Sequence, residues 1–461
     1  MKDDVFSRTV RIERPVNEVF AWHERPGALA RLCPPWERVE IVEATGGVRD
    51  GARVTVRSKV GPVWSEWRVE HRDYVAGVQF RDVQLSGPFA KWEHVHRFTA
   101  DGAEACWLTD EITYRLPGGG LGRAVGGGFA RRKLERLFRW RQETTKADLE
   151  RGAVVPKRIL IAGASGLVGT TLVPFLQTQG HAVRRLVRRK PAGEGEVWWN
   201  PAAGELDPAA LEGADAIVNL SGTNVGAGRW TARRLEEILA SRVDATATLV
   251  RAMARLARKP EVFVSASAAG IYGDRGDEVL PEDAADGAGF LAEVCRRWEA
   301  EALKAEALGV RTTRLRFGVV LTPAGGALAK LLPVFRAGVG GRVGDGRQWM
   351  SWIGIDDAVA AIHHAIVERG CSGAINVVAP QPVRNAEFAA TLGRVLRRPA
   401  GMPVPAVMLR AVFGQMAEDT LLSSGRLVPR RLEEMKFGFR GAELETALRQ
   451  VMGRERGEAE T

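Results

Sequence analysis

Apolar and polar positions follow two different rhythms along this chain. Up to about residue 152 they alternate over short runs, in Val54 to Val60, Ser65 to His71 and Lys91 to Phe98. A period of two predicts half-buried antiparallel strands. Glycines at Gly118 to Gly120 and Gly126 to Gly128 break that pattern, and an amphipathic helix is expected from about Phe129 to Leu149. A short basic linker, Arg151 to Lys157, with Gly152 and Pro156, ends this region. From Arg158 the strands are continuously apolar and alternate with helical stretches. They are Ile159 to Ala162, Ala182 to Val187, Ala216 to Leu220, Val262 to Ser265 and Thr313 to Val320. Such strands predict a parallel sheet covered on both faces, which right-handed crossovers make doubly wound. Beyond about residue 322, segments punctuated by Gly and Pro lead to a small mixed part and a polar tail, Arg454 to Thr461. The expected organisation is a domain at 1–152, a dinucleotide-binding domain at 157–375 and a C-terminal, substrate-side domain at 376–461.

Composition narrows the class. Of 461 residues, 45% are hydrophobic and 26% charged, as in soluble globular chains. The start, MKDDVFSRTV, is acidic where a secretory signal would be basic, and no run approaches the roughly 18 apolar residues of a membrane span. A cytoplasmic protein is expected. Cys33, Cys106, Cys295 and Cys371 lie far apart, which fits neither a disulfide framework nor a thiolate zinc site. The net charge of +10 comes from basic residues mixed with acids, without a recognition motif, so nucleic acid is not an expected partner.

The sharpest chemical signal is Gly163, Gly166 and Gly169 between a predicted strand and a helical run from Thr170 to Gln179. Gly163 permits the tight turn, Gly166 lets backbone amides approach a diphosphate, and Gly169 lets the helix pack close to the strand. The helix N-terminus adds unpaired amides and partial positive charge. An NAD-binding chain usually ends the next strand with Asp or Glu. Here it ends with Arg188 and Arg189, where guanidinium groups would meet the 2′-phosphate of NADP(H); the alternative is a solvated basic loop.

The glycine turn, Asn219 to Gly222, Ser265 to Gly273 and Arg316 to Leu321 together resemble the extended short-chain dehydrogenase/reductase superfamily. Further stretches narrow the likeness: Gly228 to Thr231, Ser241-Arg242, Arg297 to Glu299, Gly344 to Trp349 with Ser351 to Ile353, and Pro429 to Leu432 near Gly438-Phe439. They resemble an atypical NAD(P)-dependent epimerase-like family with a small C-terminal domain of unknown function, over about residues 157 to 452. The resemblance implies a cofactor site at Gly163, Ser165, Gly166, Leu167, Val168 and Gly169, with Leu220, Ser221 and Gly222 close by. It also implies that Ser267 is carried towards the nicotinamide.

One departure bears on chemistry. The superfamily uses Tyr-x-x-x-Lys, in which lysine lowers the tyrosine pKa for proton exchange. This chain has three tyrosines, Tyr74, Tyr114 and Tyr272, followed four residues later by Val78, Gly118 and Gly276. Counting back from Glu299, Leu291 holds the tyrosine position and Cys295 the lysine position. Ser267, Tyr272 and Cys295 are the candidate replacements, though Tyr272 also reads as a turn-packing residue and Cys295 as a small buried hydrophobe. A reductase, an epimerase and a non-catalytic nucleotide-binding protein all remain open. Arg347, Gln348 and Trp352 read equally as substrate-facing or as packing.

Residues 1 to 150 resemble the START-like (SRPBCC, helix-grip) superfamily, on Val10 to Pro15, Asn17 to Trp22, Leu32 to Trp36, Gly51 to Val54, Gly87 to Trp92, His94 to Phe98 and the final helix. That likeness implies a curved α+β domain around an apolar cavity. Alternation places Trp92, His94, His96 and Phe98 on one face, and Trp67, Val69 and His71 on another. If both faces line the cavity, three histidines converge there. No carboxylate with ligand spacing is evident, so hydrogen-bonded histidines are expected and no metal is assigned. Trp22, Trp36, Trp64, Trp67, Trp92, Trp107 and Trp140 are expected mostly in the core. The combined expectation is an NADP(H)-dependent oxidoreductase or epimerase-like protein acting on an unknown small molecule, with an apolar ligand in its N-terminal domain.

Overall fold

Strand alternation in the first third of the chain folds into a seven-stranded antiparallel sheet, seen here in a computed structural model that describes residues 3–60 and 63–454. The tail expected from Arg454 lies outside the described residues from 455 onward. The strands are β1 (Asp4–Ile12), β2 (Val39–Ala44), β3 (Arg53–Val60), β4 (Val63–Val75), β5 (Gln79–Ser86), β6 (Lys91–Ala100) and β7 (Cys106–Arg115), in the order β1-β7-β6-β5-β4-β3-β2. Helices α1 (Val16–Glu24) and α2 (Ala28–Arg31) separate β1 from β2, and α3 (Gly119–Leu149) follows β7. In β7 every second residue from Cys106 to Tyr114 is buried. These face one core of Ile12, Phe20, Trp22, Phe80 and Phe98, and a second of Phe6, Trp92, Ile112, Leu134 and Phe138. Arg31 and Asp148, both almost fully buried, form a two-bond pair at 2.8 and 2.9 Å that ties α2 to α3. Of the seven tryptophans, Trp22, Trp92 and Trp140 are buried, whereas Trp64 and Trp107 are exposed.

Helix α3 begins ten residues earlier than its periodicity indicates, because the glycine stretch is itself helical. The chain enters the helix through Gly118 at φ +79° and Gly119 at φ +58°. A Cβ on Gly122 would lie 1.9 Å from the Pro117 carbonyl oxygen. Glycine here serves a close approach of backbone to backbone rather than a helix stop.

The remainder builds a parallel sheet from β8 (Arg158–Ala162), β9 (Ala182–Val187), β10 (Glu196–Trp198), β11 (Ala216–Asn219), β12 (Val262–Ala268), β14 (Arg311–Phe317) and β18 (Gly373–Val377). Its order is β10-β9-β8-β11-β12-β14-β18, with every pair parallel. The order reverses between β8 and β11, which defines the switch point of a doubly wound fold. Helices α4 (Gly169–Thr178), α5 (Ala232–Ala254), α6 (Phe290–Leu303), α7 (Gly326–Arg336) and α8 (Ile355–Val367) connect the strands. Short strands β13 (Val279–Leu280), β15 (Val319–Leu321), β16 (Trp349–Met350), β17 (Trp352–Gly354), β19 (Val383–Arg384) and β20 (Arg426–Leu427), with helices α9 (Asn385–Leu396), α10 (Ala406–Phe413), α11 (Arg430–Glu434) and α12 (Leu444–Val451), form the rest.

Two boundaries differ from the sequence reading. The single strand expected from Thr313 to Val320 is broken at Gly318 into β14 and β15, since a Cβ there would sit 2.5 Å from the Ser351 carbonyl oxygen. The sheet also runs past residue 375, because β18 pairs with β14 through Val377. Contacts divide the chain into two units, residues 1–156 with 174–180, and residues 157–173 with 181–461. No helix among the described residues is long and apolar enough to cross a membrane.

Candidate functional site

The loops leaving β8 and β11 meet at the switch point. Gly163 turns at φ +80°, and a Cβ on it would lie 2.6 Å from both the carbonyl carbon and oxygen of Leu220. A Cβ on Gly169 would lie 2.4 Å from the Gly163 carbonyl oxygen. The amide of Gly166 closes the turn onto that same oxygen at 3.0 Å, and Thr170 begins helical pairing on Gly166. Ser165, Gly166 and Gly222 are exposed around this cradle, with Leu167, Val168, Leu220 and Ser221 half-buried. Asn219 is fully buried; its amide donates to Thr246 Oγ1, and its carbonyl oxygen accepts from the Ser221 amide, fixing the second loop. The buried Ser221 hydroxyl has no hydrogen-bond partner among the described residues. An unpaired buried polar atom costs about 1–3 kcal/mol, so a ligand oxygen beside it would be welcome. A cradle that tolerates no Cβ, a helix N-terminus and an orphaned hydroxyl fit a dinucleotide diphosphate.

The two arginines after β9 differ. Arg189 forks onto Glu196 with bonds of 2.7 and 2.6 Å, and Glu196 also accepts from the Ala192 amide at 2.8 Å. Arg189, with the Ala192 amide, lowers the Glu196 carboxyl to about 2. Arg188 is exposed and has no side-chain hydrogen bond or ion pair among the described residues. Sequence spacing treats the pair alike; tertiary contact with Glu196 separates them.

The residues expected to replace the missing dyad are held in a buried network. Ser267 Oγ donates to Glu299 Oε1 at 2.7 Å. Arg316 donates to both Glu299 oxygens, at 2.9 and 3.0 Å, and Arg314 donates to Oε2 at 2.8 Å. Burial raises the Glu299 pKa, but Arg316, Ser267 and Arg314 outweigh it and hold the carboxyl below its ordinary value. Tyr272 is fully buried; its hydroxyl donates to Asn376 Oδ1 at 2.8 Å and accepts from Arg316 at 2.8 Å. Burial pushes the Tyr272 pKa up, the wrong direction for a group that must exchange a proton near neutrality. Cys295, almost fully buried, is pushed by burial to about 11 and remains a thiol. Its reaction with iodoacetamide in the folded protein should be about a hundredfold slower than that of a thiol at the ordinary value of 9.0. Mass mapping before and after denaturation checks this, and rapid labelling in the folded state would contradict it. Leu291, at the tyrosine position, packs against Gly270.

Gln348 and Trp352 take the packing alternative. Gln348 Nε2 donates to the Val343 and Leu421 carbonyls, and buried Trp352 donates to the Gln381 carbonyl. Arg347 is exposed.

In the N-terminal unit, antiparallel register sets His71, Asp82 and His94 side by side on β4, β5 and β6, and His96 opposite Asp110 of β7. His71 Nε2 lies 3.0 Å from Asp82 Oδ1. His94 Nε2 bonds Asp110 Oδ1 at 2.9 Å, and His96 Nδ1 lies 3.0 Å from the same oxygen. Burial opposes charge on His96, but Asp110 and Asp82 prevail and raise it to about 9. Neither carboxylate figures in the sequence reading. The available signal was Asp82 two residues after Phe80, on the inward parity of its strand.

Comparison with known proteins supplies the family. Residues 159–378 match the NAD dependent epimerase/dehydratase family, 404–451 match a domain of unknown function, DUF1731, and 4–150 match the polyketide cyclase/dehydrase and lipid transport family. An epimerase family protein of Mycobacterium bovis is 42% identical over 281 residues, covering 61% of this chain and 93% of that relative. This chain belongs to the NAD-dependent epimerase family. Its second unit is thus an NAD(P)-dependent epimerase-type Rossmann domain, and its first a helix-grip domain. A solved structure described as the nucleoside-diphosphate sugar epimerase from Corynebacterium glutamicum matches with a TM-score of 0.80 at 33% identity, covering 97% of this chain and 90% of that one. The human epimerase family protein SDR39U1, solved with NADPH, matches with a TM-score of 0.59 at 32% identity, over 64% of this chain and 98% of its own.

Proposed function

We propose that this epimerase-family chain binds NADP(H) at the β8–β11 switch point and uses it to oxidise or reduce a small molecule. The reading rests above all on the Gly163–Leu220 cradle with exposed Arg188 beyond the neighbouring strand. NADPH in the human relative's structure supports the choice of cofactor. Amides of Ser165 and of Leu167 to Gly169 would hold the diphosphate, Ser221 would bond a cofactor oxygen, and Arg188 would meet the 2′-phosphate. When bound, the cofactor supplies hydride transfer. The chain itself supplies orientation, and with Tyr272 and Ser267 engaged in the Glu299–Arg316 network, water delivers the accompanying proton in reduction and accepts the substrate's proton in oxidation. Arg188→Ala should weaken NADPH binding about 10–100-fold, the loss of one charge-assisted contact, and leave NADH nearly unchanged. Calorimetry with both dinucleotides checks it, and equal losses would overturn the NADP(H) assignment.

A second reading, an NADP(H)-responsive binding protein, is favoured by that same buried network, which leaves no ordinary acid at the dyad's positions. Single-turnover absorbance of bound NADPH against carbonyl substrates separates the two: oxidation supports the redox reading, and binding without oxidation across a broad panel supports the rival. For the helix-grip unit the proposed cargo is an apolar small molecule, and mass spectrometry of co-purifying compounds tests it.

A further inference from the structure

The buried histidine–aspartate cluster of the N-terminal unit has two kinds of spacing. Contacts on its outer side are hydrogen-bond lengths: His94 Nε2 to Asp110 Oδ1 at 2.9 Å, His96 Nδ1 to Asp110 Oδ1 at 3.0 Å, and His71 Nε2 to Asp82 Oδ1 at 3.0 Å. Contacts on its inner side are longer. His94 Nδ1 lies 3.4 Å and His96 Nε2 lies 3.5 Å from the same atom, Asp82 Oδ2. Charge-assisted bonds to a carboxylate settle at about 2.7–2.9 Å. Ligand atoms around a tetrahedral ion at about 2.0–2.1 Å stand roughly 3.3–3.4 Å apart. The inner spacing is that of ligands sharing a cation.

Proton placement points the same way. Asp110 is an acceptor, so His94 Nε2, which bonds it at 2.9 Å, carries a hydrogen, and His96 Nδ1 faces the same oxygen at 3.0 Å. Its second oxygen is occupied by Gln142 Nε2 at 2.7 Å, which fixes the carboxylate. Ligation takes the place of the second ring proton, and the opposite nitrogens then present lone pairs, both towards Asp82 Oδ2. With that proton displaced, three acceptors converge on one point, and the three atoms lie within 4.8 Å of one another. A histidine whose outer N–H is held by a carboxylate is the usual form of a metal-ligating histidine. Phe80 stacks on His96 at 4.2 Å and Phe138 meets His94 edge-on at 4.9 Å, so little water screens the convergence. Asp82 keeps 20% of its side chain exposed, which leaves an entry path.

We propose that Asp82, His94 and His96 form a divalent metal site of zinc type in the helix-grip unit. Asp110 orients the imidazoles, and His71 Nε2 stands 3.0 Å from the other oxygen of Asp82. Three protein ligands leave one position for water or for an oxygen of the unit's ligand, the pattern of catalytic rather than structural zinc. The site is separate from the nucleotide cradle and stands whether or not NADP(H) binds.

The test uses the full-length chain prepared without a histidine tag and stripped by a chelator. Titration with Co²⁺ should give one equivalent of binding, with the strong visible absorption of four- or five-coordinate cobalt, and Zn²⁺ should displace it. Asp82→Asn should weaken Co²⁺ and Zn²⁺ at least about 100-fold, and Asp110→Asn, which only disturbs orientation, about 10–100-fold with stoichiometry retained. Near-UV circular dichroism controls for folding, and the wild-type titration alone decides if a variant does not fold. Absence of a saturable cobalt spectrum overturns the proposal. So does a weak octahedral spectrum, a thiolate charge-transfer band, or wild-type affinity in a folded Asp82→Asn protein.

Discussion

Gly163→Ala should lower NADPH affinity by about 100-fold or more while leaving the fold intact, an effect near 2.7 kcal/mol. The added Cβ would fall 2.6 Å from the Leu220 carbonyl carbon and 3.0 Å from the Ser221 amide, neither of which belongs to a side chain that can rotate away. Alanine at φ +80° also carries about 1–2 kcal/mol of strain. The cheapest relief is to move the Leu220–Gly222 loop, the second wall of the cradle. That loop lies at the open end of the sheet, so the core of Leu160, Ile217 and Phe263 is left in place. Calorimetry with NADPH and near-UV circular dichroism measure the two halves of this expectation. An affinity within threefold of wild type would show that the cradle does not hold the diphosphate.

Glu299→Leu should cost about 3–5 kcal/mol of stability, the usual consequence of removing one partner from a buried ion pair. Leucine leaves the buried Arg316 guanidinium facing apolar surface, deprives Arg314 of its carboxylate and removes the acceptor of Ser267. Glu299→Gln keeps shape and some hydrogen bonding and should lose less. The pH dependence has a definite sign. The folded-state pKa of Glu299 lies below its ordinary value of 4.5. Its contribution is therefore complete above pH 4.5 and is lost as pH falls through the depressed folded value. The wild-type advantage over Glu299→Leu should shrink in acid and stay flat from neutrality upwards. Scanning calorimetry of both proteins across that range measures it, and an advantage that grows in acid would contradict the ion-pair account.

Much of the framework was readable in the residues. Continuous apolar runs at Ile159, Ala216 and Val262 announce strands buried on both faces, because only parallel sheets bury strands in that way. Gly163 and Gly169 announce a turn in which backbones touch, since no other residue type fits such contact. Alternation in β4 and β6 put His71, His94 and His96 on definite faces. The absence of Tyr-x-x-x-Lys is equally a property of the sequence. Local periodicity reached its limit at Gly119 to Gly128, a stretch that interrupts the strand alternation and is itself helical, with close backbone contact at Gly122.

Partnership was decided only by the tertiary structure. Arg188 and Arg189 are adjacent and chemically identical, yet Glu196, brought alongside by β10, engages one and not the other. Tyr272 reads as a plausible acid until Arg316 and Asn376, 44 and 104 residues away, arrive at its hydroxyl. Asp82 and Asp110 carry no spacing signal relative to the histidines, because strand pairing sets their distance and sequence separation does not. A charge's role depends on the dielectric around it and on the few ångströms to its counter-charge. Sequence periodicity encodes which face a residue occupies, and the register between strands determines what that face meets.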